Sequence, residues 1–253
     1  MTEKRVGWLS SSGLHIVAMI LMLIDHMGYV LYPDLVVLRW IGRLAFPIFS
    51  FMIAEGARRT RSRKRYMLRL FILAIISEVP FNLMVSHSVN DIKHQNVIWT
   101  LLLGLILIDK LDPVEVKDRP GWLRMISIYF WLIVIPAFAK VFNTDYGLGG
   151  VILIIYMYAF LKFFDHRVIY VISSAFVMTT LALLVLNGFM YTVEIGSNRI
   201  MIPMQLLWVL SLVFICGYNG KKGISSKWFK WITYFFYPIH MMVLVGFRYI
   251  VGG

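Results

Sequence analysis

A chain of 253 residues that is 60% hydrophobic carries more apolar side chain than one soluble core of its size can hide, which excludes an ordinary soluble domain and marks an integral membrane protein. The net charge of +12 does not argue for nucleic acid, because a multi-spanning protein collects lysine and arginine in its cytoplasmic loops as it inserts. The single cysteine, Cys216, excludes an intrachain disulfide and any cysteine-based metal site.

The first apolar run, Leu14 to Leu31, follows a short polar head (Thr2 to Arg5) and has no small-residue cleavage site behind it, so it reads as a retained signal anchor. At roughly 20 apolar residues per crossing, spans are expected near residues 13 to 32, 36 to 57, 66 to 85, 95 to 111, 122 to 141, 147 to 164, 167 to 188, 200 to 217 and 229 to 250. The expected fold is therefore all-α: a polytopic membrane helix bundle of about nine transmembrane helices forming one domain over residues 1 to 253. Short links such as Tyr32 to Asp34 make consecutive helices antiparallel neighbours.

Basic residues concentrate in alternate loops: Lys4 and Arg5; Arg58, Arg59, Arg61, Arg63, Lys64 and Arg65; Lys110, Lys117 and Arg119; Lys162 and Arg167; Lys221, Lys222, Lys227 and Lys230. The intervening loops hold little beyond Lys93, Lys140 and Arg199. This contrast predicts a cytoplasmic N-terminus and an external C-terminus.

Against that frame the polar residues at membrane depth are concentrated. Asp25, His26, Arg39, Arg43, Glu78, His94, Gln95, Asn96 and Asp145 fall in the outer half or at the outer rim, and His240 falls near mid-depth of the last span. A charge at the bilayer centre costs about 2.5 to 3.5 kcal/mol even on insertion scales, so such residues line cavities or pair with one another. Asp25 and His26 are adjacent, hence about 100° apart on a helix, and cannot form a dyad; Asp25 should pair with an arginine such as Arg43. His15 and His26 lie eleven residues apart on one face, with Ala18, Met19 and Met22 between them, a face that suits a narrow channel. Pro47 should kink the second helix just beyond Arg43, and Pro80 should bend the chain out of helix beside Glu78.

The motifs Met22-Leu-Ile-Asp-His-Met-Gly28, Arg39-Trp-Ile-Gly-Arg-Leu-Ala-Phe-Pro-Ile-Phe49, Ser77-Glu-Val-Pro-Phe-Asn82, His94-Gln-Asn-Val97, Asp145-Tyr-Gly147, Tyr218-Asn-Gly-Lys-Lys-Gly223 and Tyr237-Pro-Ile-His240 resemble those of the TraX family over nearly the whole chain. That family is named for a protein that acetylates the N-terminus of pilin, and it is similar to a wider group of multi-spanning acyltransferases acting on sugars. The resemblance implies a multi-pass protein of the bacterial cytoplasmic membrane. It also implies acetyl transfer from cytosolic acetyl-CoA to a peptide or glycan acceptor reached from outside, with no metal and no nucleic acid. In the wider group an arginine commonly stands eleven positions before the first-helix histidine, where this chain has His15.

For that chemistry His26 is the expected base, with Asp25 and Glu78 to orient it or balance an arginine, and Arg43 or Asn96 as oxyanion donor. Arg58, Arg59, Arg63, Lys64, Arg65, Lys221 and Lys222 would form a basic mouth for the phosphates of CoA, leading to the His15 face; backbone amides at Asn219-Gly220 could join it. Arg39, His94, Gln95, Asn96, Asp145 and His240 would contact the acceptor. A small proton-coupled or anion transporter is the alternative for intramembrane Asp, Glu, His and Arg groups, but the halves of the chain show no matching repeat. A structural partner of a surface-protein export system would not need so many charges in its spans.

Overall fold

A computed structural model describes residues 7–112, 120–163, 167–186, 190–195 and 198–251. The described residues are mostly helical. In order it runs α1 (Ser11–Val30), α2 (Val36–Gly42), α3 (Ala45–Arg59), α4 (Arg63–Val85), α5 (Val97–Leu111), α6 (Gly121–Val141), α7 (Gly147–Phe163), α8 (Arg167–Leu184), β1 (Met190–Ile195), β2 (Asn198–Pro203), a 3-10 helix (Met204–Ser211), α9 (Leu212–Cys216) and α10 (Lys227–Val251). Among the described residues, four stretches are long and apolar enough to cross a membrane: Ser11–Val30, Val36–Arg59, Arg63–Val85 and Gly121–Val141. Gly147–Phe163, Val168–Leu184 and Met204–Cys216 are shorter apolar helices. The basic residues Lys4, Arg5, Lys117 and Arg119 lie outside the described residues.

The second span is broken at Arg43-Leu44, beside Arg43 where Pro47 is expected to kink it, while two other expectations about these elements need correction. Proline offers no N–H to the carbonyl four residues back and its ring crowds that group, which here belongs to Arg43; the chain turns where the bond is lost. Pro80, by contrast, lies inside α4, which continues to Val85. In a low-dielectric surrounding a helix missing one bond costs less than an unwound segment with several bare amides. Finally, the eighth expected span, 200 to 217, opens with a strand rather than a helix. β1 and β2 pair antiparallel with Met190 opposite Pro203 and Ile195 opposite Asn198.

The chain forms two compact units. One comprises Met1–Phe49, Leu83–His87 and His166–Gly253; the other comprises Ser50–Asn82 and Ser88–Asp165. In the first, α1 packs on α2 and α10, and α8 packs on the 3-10 helix. Glycines permit the close α1–α2 approach: a Cβ on Gly28 would meet the Leu38 Cβ at 2.7 Å, and one on Gly42 would run into the backbone and side chain of Asp25. Leu14, Ala18, Ile48, Trp208 and Met241 form its interior, with the Phe46 and Trp208 rings 5.4 Å apart. In the second unit α5, α6 and α7 pack together around Leu103, Leu107, Ile135, Ala139 and Val151.

Candidate functional site

The charged cluster of the first unit grows from the α1–α2 contact. Arg39, one turn before Arg43, donates from Nη1 to the Asp25 carboxylate at 2.6 Å and to the Asp25 carbonyl at 3.0 Å, and its guanidinium lies 5.0 Å over the Tyr29 ring. Arg43 Nε is 3.7 Å from the same carboxylate. Asp25 therefore answers two arginines, and Arg39 is the closer. Arg43 is buried at 5% exposure.

His26 stands beside this cluster, within electrostatic reach of both arginines. Its Nδ1 is 2.6 Å from Nε2 of His240 on α10, and His240 Nδ1 is 2.6 Å from the Phe236 carbonyl. The imidazole planes are 6° apart with centroids 4.8 Å apart. Atoms 2.6 Å apart are incompatible with parallel rings stacked at van der Waals spacing, so the rings meet edge to edge in a common plane. His240 is buried, as is the neighbouring Tyr237. His15, at the other end of the α1 face, accepts or donates nothing to His26; its Nδ1 bonds the Ser11 carbonyl at 2.8 Å. Ala18, Met19 and Met22 between them are buried.

At the start of α1 the segment after α9 closes on the chain. Leu9 donates to Gly217 and accepts from Asn219, and the Ser11 and Ser12 amides donate to the carbonyls of Lys221 and Lys222. Gly13 N–H takes the Ser10 hydroxyl, which caps the helix. Gly223, at φ +68°, passes so near Ser10 and Ser12 that any Cβ there would collide with their hydroxyls. The first amides of α1 and the Asn219 amide are thus committed to this closure and do not face a phosphate, while the Lys221 and Lys222 side chains are exposed.

In the second unit Glu78 is held by donors at the start of α5: the Asn96 amide at 3.2 Å, Asn96 Nδ2 at 2.7 Å and Trp99 Nε1 at 2.6 Å, all to one oxygen. Asn96 is fully buried and caps α5 through Oδ1 on the Ile98 amide, while Nδ2 also donates to the Ala74 carbonyl at 2.9 Å. Both amide hydrogens are therefore spent on the fold. Gln95 joins two segments through its backbone, donating to Asn143 and accepting from Asp145. Asp145 is 3.9 Å from His94 Nε2, and its carbonyl accepts from the Thr100 hydroxyl. The Phe81 ring lies 5.6 Å from that of His94.

The basic turn between α3 and α4 lines a cleft of about 350 Å³ with Arg58, Thr60, Arg61, Ser62, Arg63 and Lys64 on one side and Asp109 and Asp112 on the other. Arg63 bonds Asp112 at 2.5 Å, Tyr158 donates to the same carboxylate at 2.8 Å, and Lys162 bonds its other oxygen at 3.1 Å. Burial would push the Asp112 carboxyl up, yet these three bonds hold it well below the usual carboxylate range. Arg59 and Arg58 lie 2.7 and 3.5 Å from Glu55. Among the described residues, Arg61, Lys64 and Arg65 have no carboxylate within ion-pair distance, and all three are exposed.

Compared with known proteins, the chain matches over residues 10–248 a family model described as TraX protein. The chain belongs to the TraX family. It is 24% identical over 247 residues, 93% of this chain and 94% of the relative, to a protein of Dichelobacter nodosus described as "Probable fimbrial assembly protein FimC, serogroup H1". A 34-residue stretch, 13% of the chain and 14% of the relative, is 56% identical to an uncharacterized protein of Rickettsia prowazekii (strain Madrid E). No solved structure matches. Family membership and the apolar helices make this a membrane protein.

Around the TraX motifs the structure adds residues that the sequence reading passed over. Arg61 lines the cleft, Asp109, Asp112 and Tyr158 contact Arg63, and Lys162 shares Asp112 with it. Two carboxylates at the C-terminal end of an apolar run oppose the helix dipole, so Asp109 and Asp112 signal a cationic partner. Trp99, a turn beyond Asn96, is an indole N–H at membrane depth that needs an acceptor.

Proposed function

We propose that this chain is an integral membrane acetyltransferase of the bacterial cytoplasmic membrane that moves an acetyl group from cytosolic acetyl-CoA to an amine or hydroxyl reached from outside. The observation that carries the reading is His26: an imidazole on the first helix, bonded edge-on to a second buried histidine and set beside an Asp25–Arg39–Arg43 cluster. Buried ionisable groups on a membrane-spanning helix are costly and are retained for function. About nine crossings, with the N-terminus inside, accord with the charge of the loops.

His26 acts as general base. It takes the proton from the acceptor's N–H or O–H as that atom bonds to the acetyl carbon and the C–S bond breaks, and it returns the proton to the departing sulfur. Arg43, buried one turn from Arg39, supplies positive potential for the developing oxyanion. The thioester supplies the activated acetyl group. The cleft at Arg58, Arg61 and Lys64 fits its phosphates, because Arg61 and Lys64 are exposed with no carboxylate within ion-pair distance among the described residues and because its volume falls in the range of ligand pockets. The name of the Dichelobacter relative favours a fimbrial subunit as acceptor.

CoA or acetyl-CoA should stabilise the purified protein by about 2.7 kcal/mol at a concentration of 100 Kd, read as a raised melting temperature. A transporter of protons or small anions would ignore CoA. His26→Ala should abolish acetylation of surface peptides, read by mass spectrometry of cells fed labelled acetate, while leaving the protein folded; retained transfer would remove His26 from the chemistry.

A further inference from the structure

The two-histidine chain has a direction. A backbone carbonyl can only accept, so the 2.6 Å contact from His240 Nδ1 to Phe236 places a proton on that nitrogen. In the neutral ring the other nitrogen, Nε2, then carries a lone pair. His26 Nδ1 lies 2.6 Å from that lone pair, in the plane of both rings, and must donate to it. A neutral His26 protonated on Nδ1 has its Nε2 bare.

We infer that His240 is a positioning residue that selects the Nδ1–H tautomer of His26 and so presents His26 Nε2 as the nitrogen that receives a proton. This assigns to His240 a role through His26 in place of contact with the acceptor, and it rests on the acetyltransferase reading only for what the proton is used for. When Nε2 takes a proton, the Nδ1–H bond to His240 becomes charge-assisted and stabilises the imidazolium. The carbonyl of Phe236, four residues before His240 on α10, keeps the relay aligned because helix geometry fixes it. The packing explains the recurrence of aromatic side chains here: Phe236 and Tyr237 flank His240 at 4.8 and 5.9 Å, which holds the ring in one rotamer.

The test reads the tautomer itself. In full-length protein labelled with ¹⁵N-histidine and held in lipid nanodiscs without CoA, nitrogen NMR distinguishes protonated from bare ring nitrogens, and His26→Gln and His240→Gln assign the two rings among the six histidines. The expected wild-type spectrum shows Nδ1–H and bare Nε2 on both rings. His240→Ala should return His26 to the Nε2–H form that a free imidazole prefers, and His240→Gln, whose carbonyl oxygen can replace the Nε2 lone pair, should keep it as Nδ1–H. Wild-type His26 protonated on Nε2, a His240 protonated on both nitrogens, or a His26 signal indifferent to His240→Ala overturns the inference. Should His240→Ala fail to fold, the wild-type and His240→Gln spectra still decide it. With acetyl-CoA and an acceptor, His240→Ala should lower kcat roughly 10²-fold or more with KM for acetyl-CoA unchanged, and His240→Gln should restore it. Correct tautomers with no acetyl transfer would overturn the reaction and spare the relay; transfer with the wrong tautomer would do the reverse.

Discussion

At the scale of single residues, the Asp25 cluster shows how a buried charge is kept. The carboxylate lies 2.6 Å from Arg39 and 3.7 Å from Arg43, with all three side chains no more than 14% exposed. Removing the Asp25 charge takes the carboxylate from two guanidinium groups, and breaking a buried pair on one side costs about 3–5 kcal/mol. Asp25→Asn should therefore lower stability by that amount, read by denaturation in detergent; a wild-type midpoint would mean the carboxylate is not charged where it stands. The sequence revealed that Asp25 needed an arginine but favoured Arg43 over Arg39. Arg39 and Arg43 are one turn apart, and which one closes on Asp25 depends on the approach of two helices, a tertiary quantity. The His26–His240 bond was hidden for a plainer reason: 214 residues separate the partners. Each motif was legible alone, and neither carried the distance.

At the scale of elements, small residues and breaks set the geometry those charges need. Gly28 on α1 and Gly42 on α2 let two backbones approach until a methyl group would collide, and Gly42 lies directly against Asp25. Gly42→Ala must push α2 from α1, with an overpacking cost of typically 1–3 kcal/mol, and in doing so pull Arg39 from the carboxylate. The two effects share one contact, so Gly42→Ala and Asp25→Asn should be clearly non-additive in a double-mutant cycle on stability; additive penalties would show the helix approach and the ion pair to be independent. The break at Arg43-Leu44 was legible as a proline effect, and its position followed from the carbonyl four residues before Pro47. The hairpin at 190–203 was not, because short apolar runs do not distinguish strand from helix by periodicity. The sequence Glu194-Ile-Gly-Ser-Asn-Arg199 held the one local signal, a Gly-Ser pair between alternating side chains.

At the scale of the whole molecule, the strand over Asn198–Pro203 bears on whether the eighth expected crossing is long enough. The eight-residue 3-10 helix and the five-residue α9 rise roughly 24 Å in all, short of the roughly 30 Å hydrocarbon core. Two further residues of β2, at about 3.3 Å each, make up the difference. Strand backbone in lipid leaves amides unsatisfied unless paired, and β2 is paired along its length with β1. If residues 198–216 cross in this way, six crossings separate the basic turn of Arg58 to Arg65 from that of Lys221 to Lys230, and both face the cytoplasm as their charge demands. If they do not, one of these strongly basic loops must lie outside. With Cys216 replaced by serine, single cysteines at Arg61 and Lys221 should both resist an impermeant maleimide in intact cells and both react once the membrane is opened. Labelling of one position alone in intact cells would mean an even number of crossings and would place the C-terminus on the same side as the N-terminus.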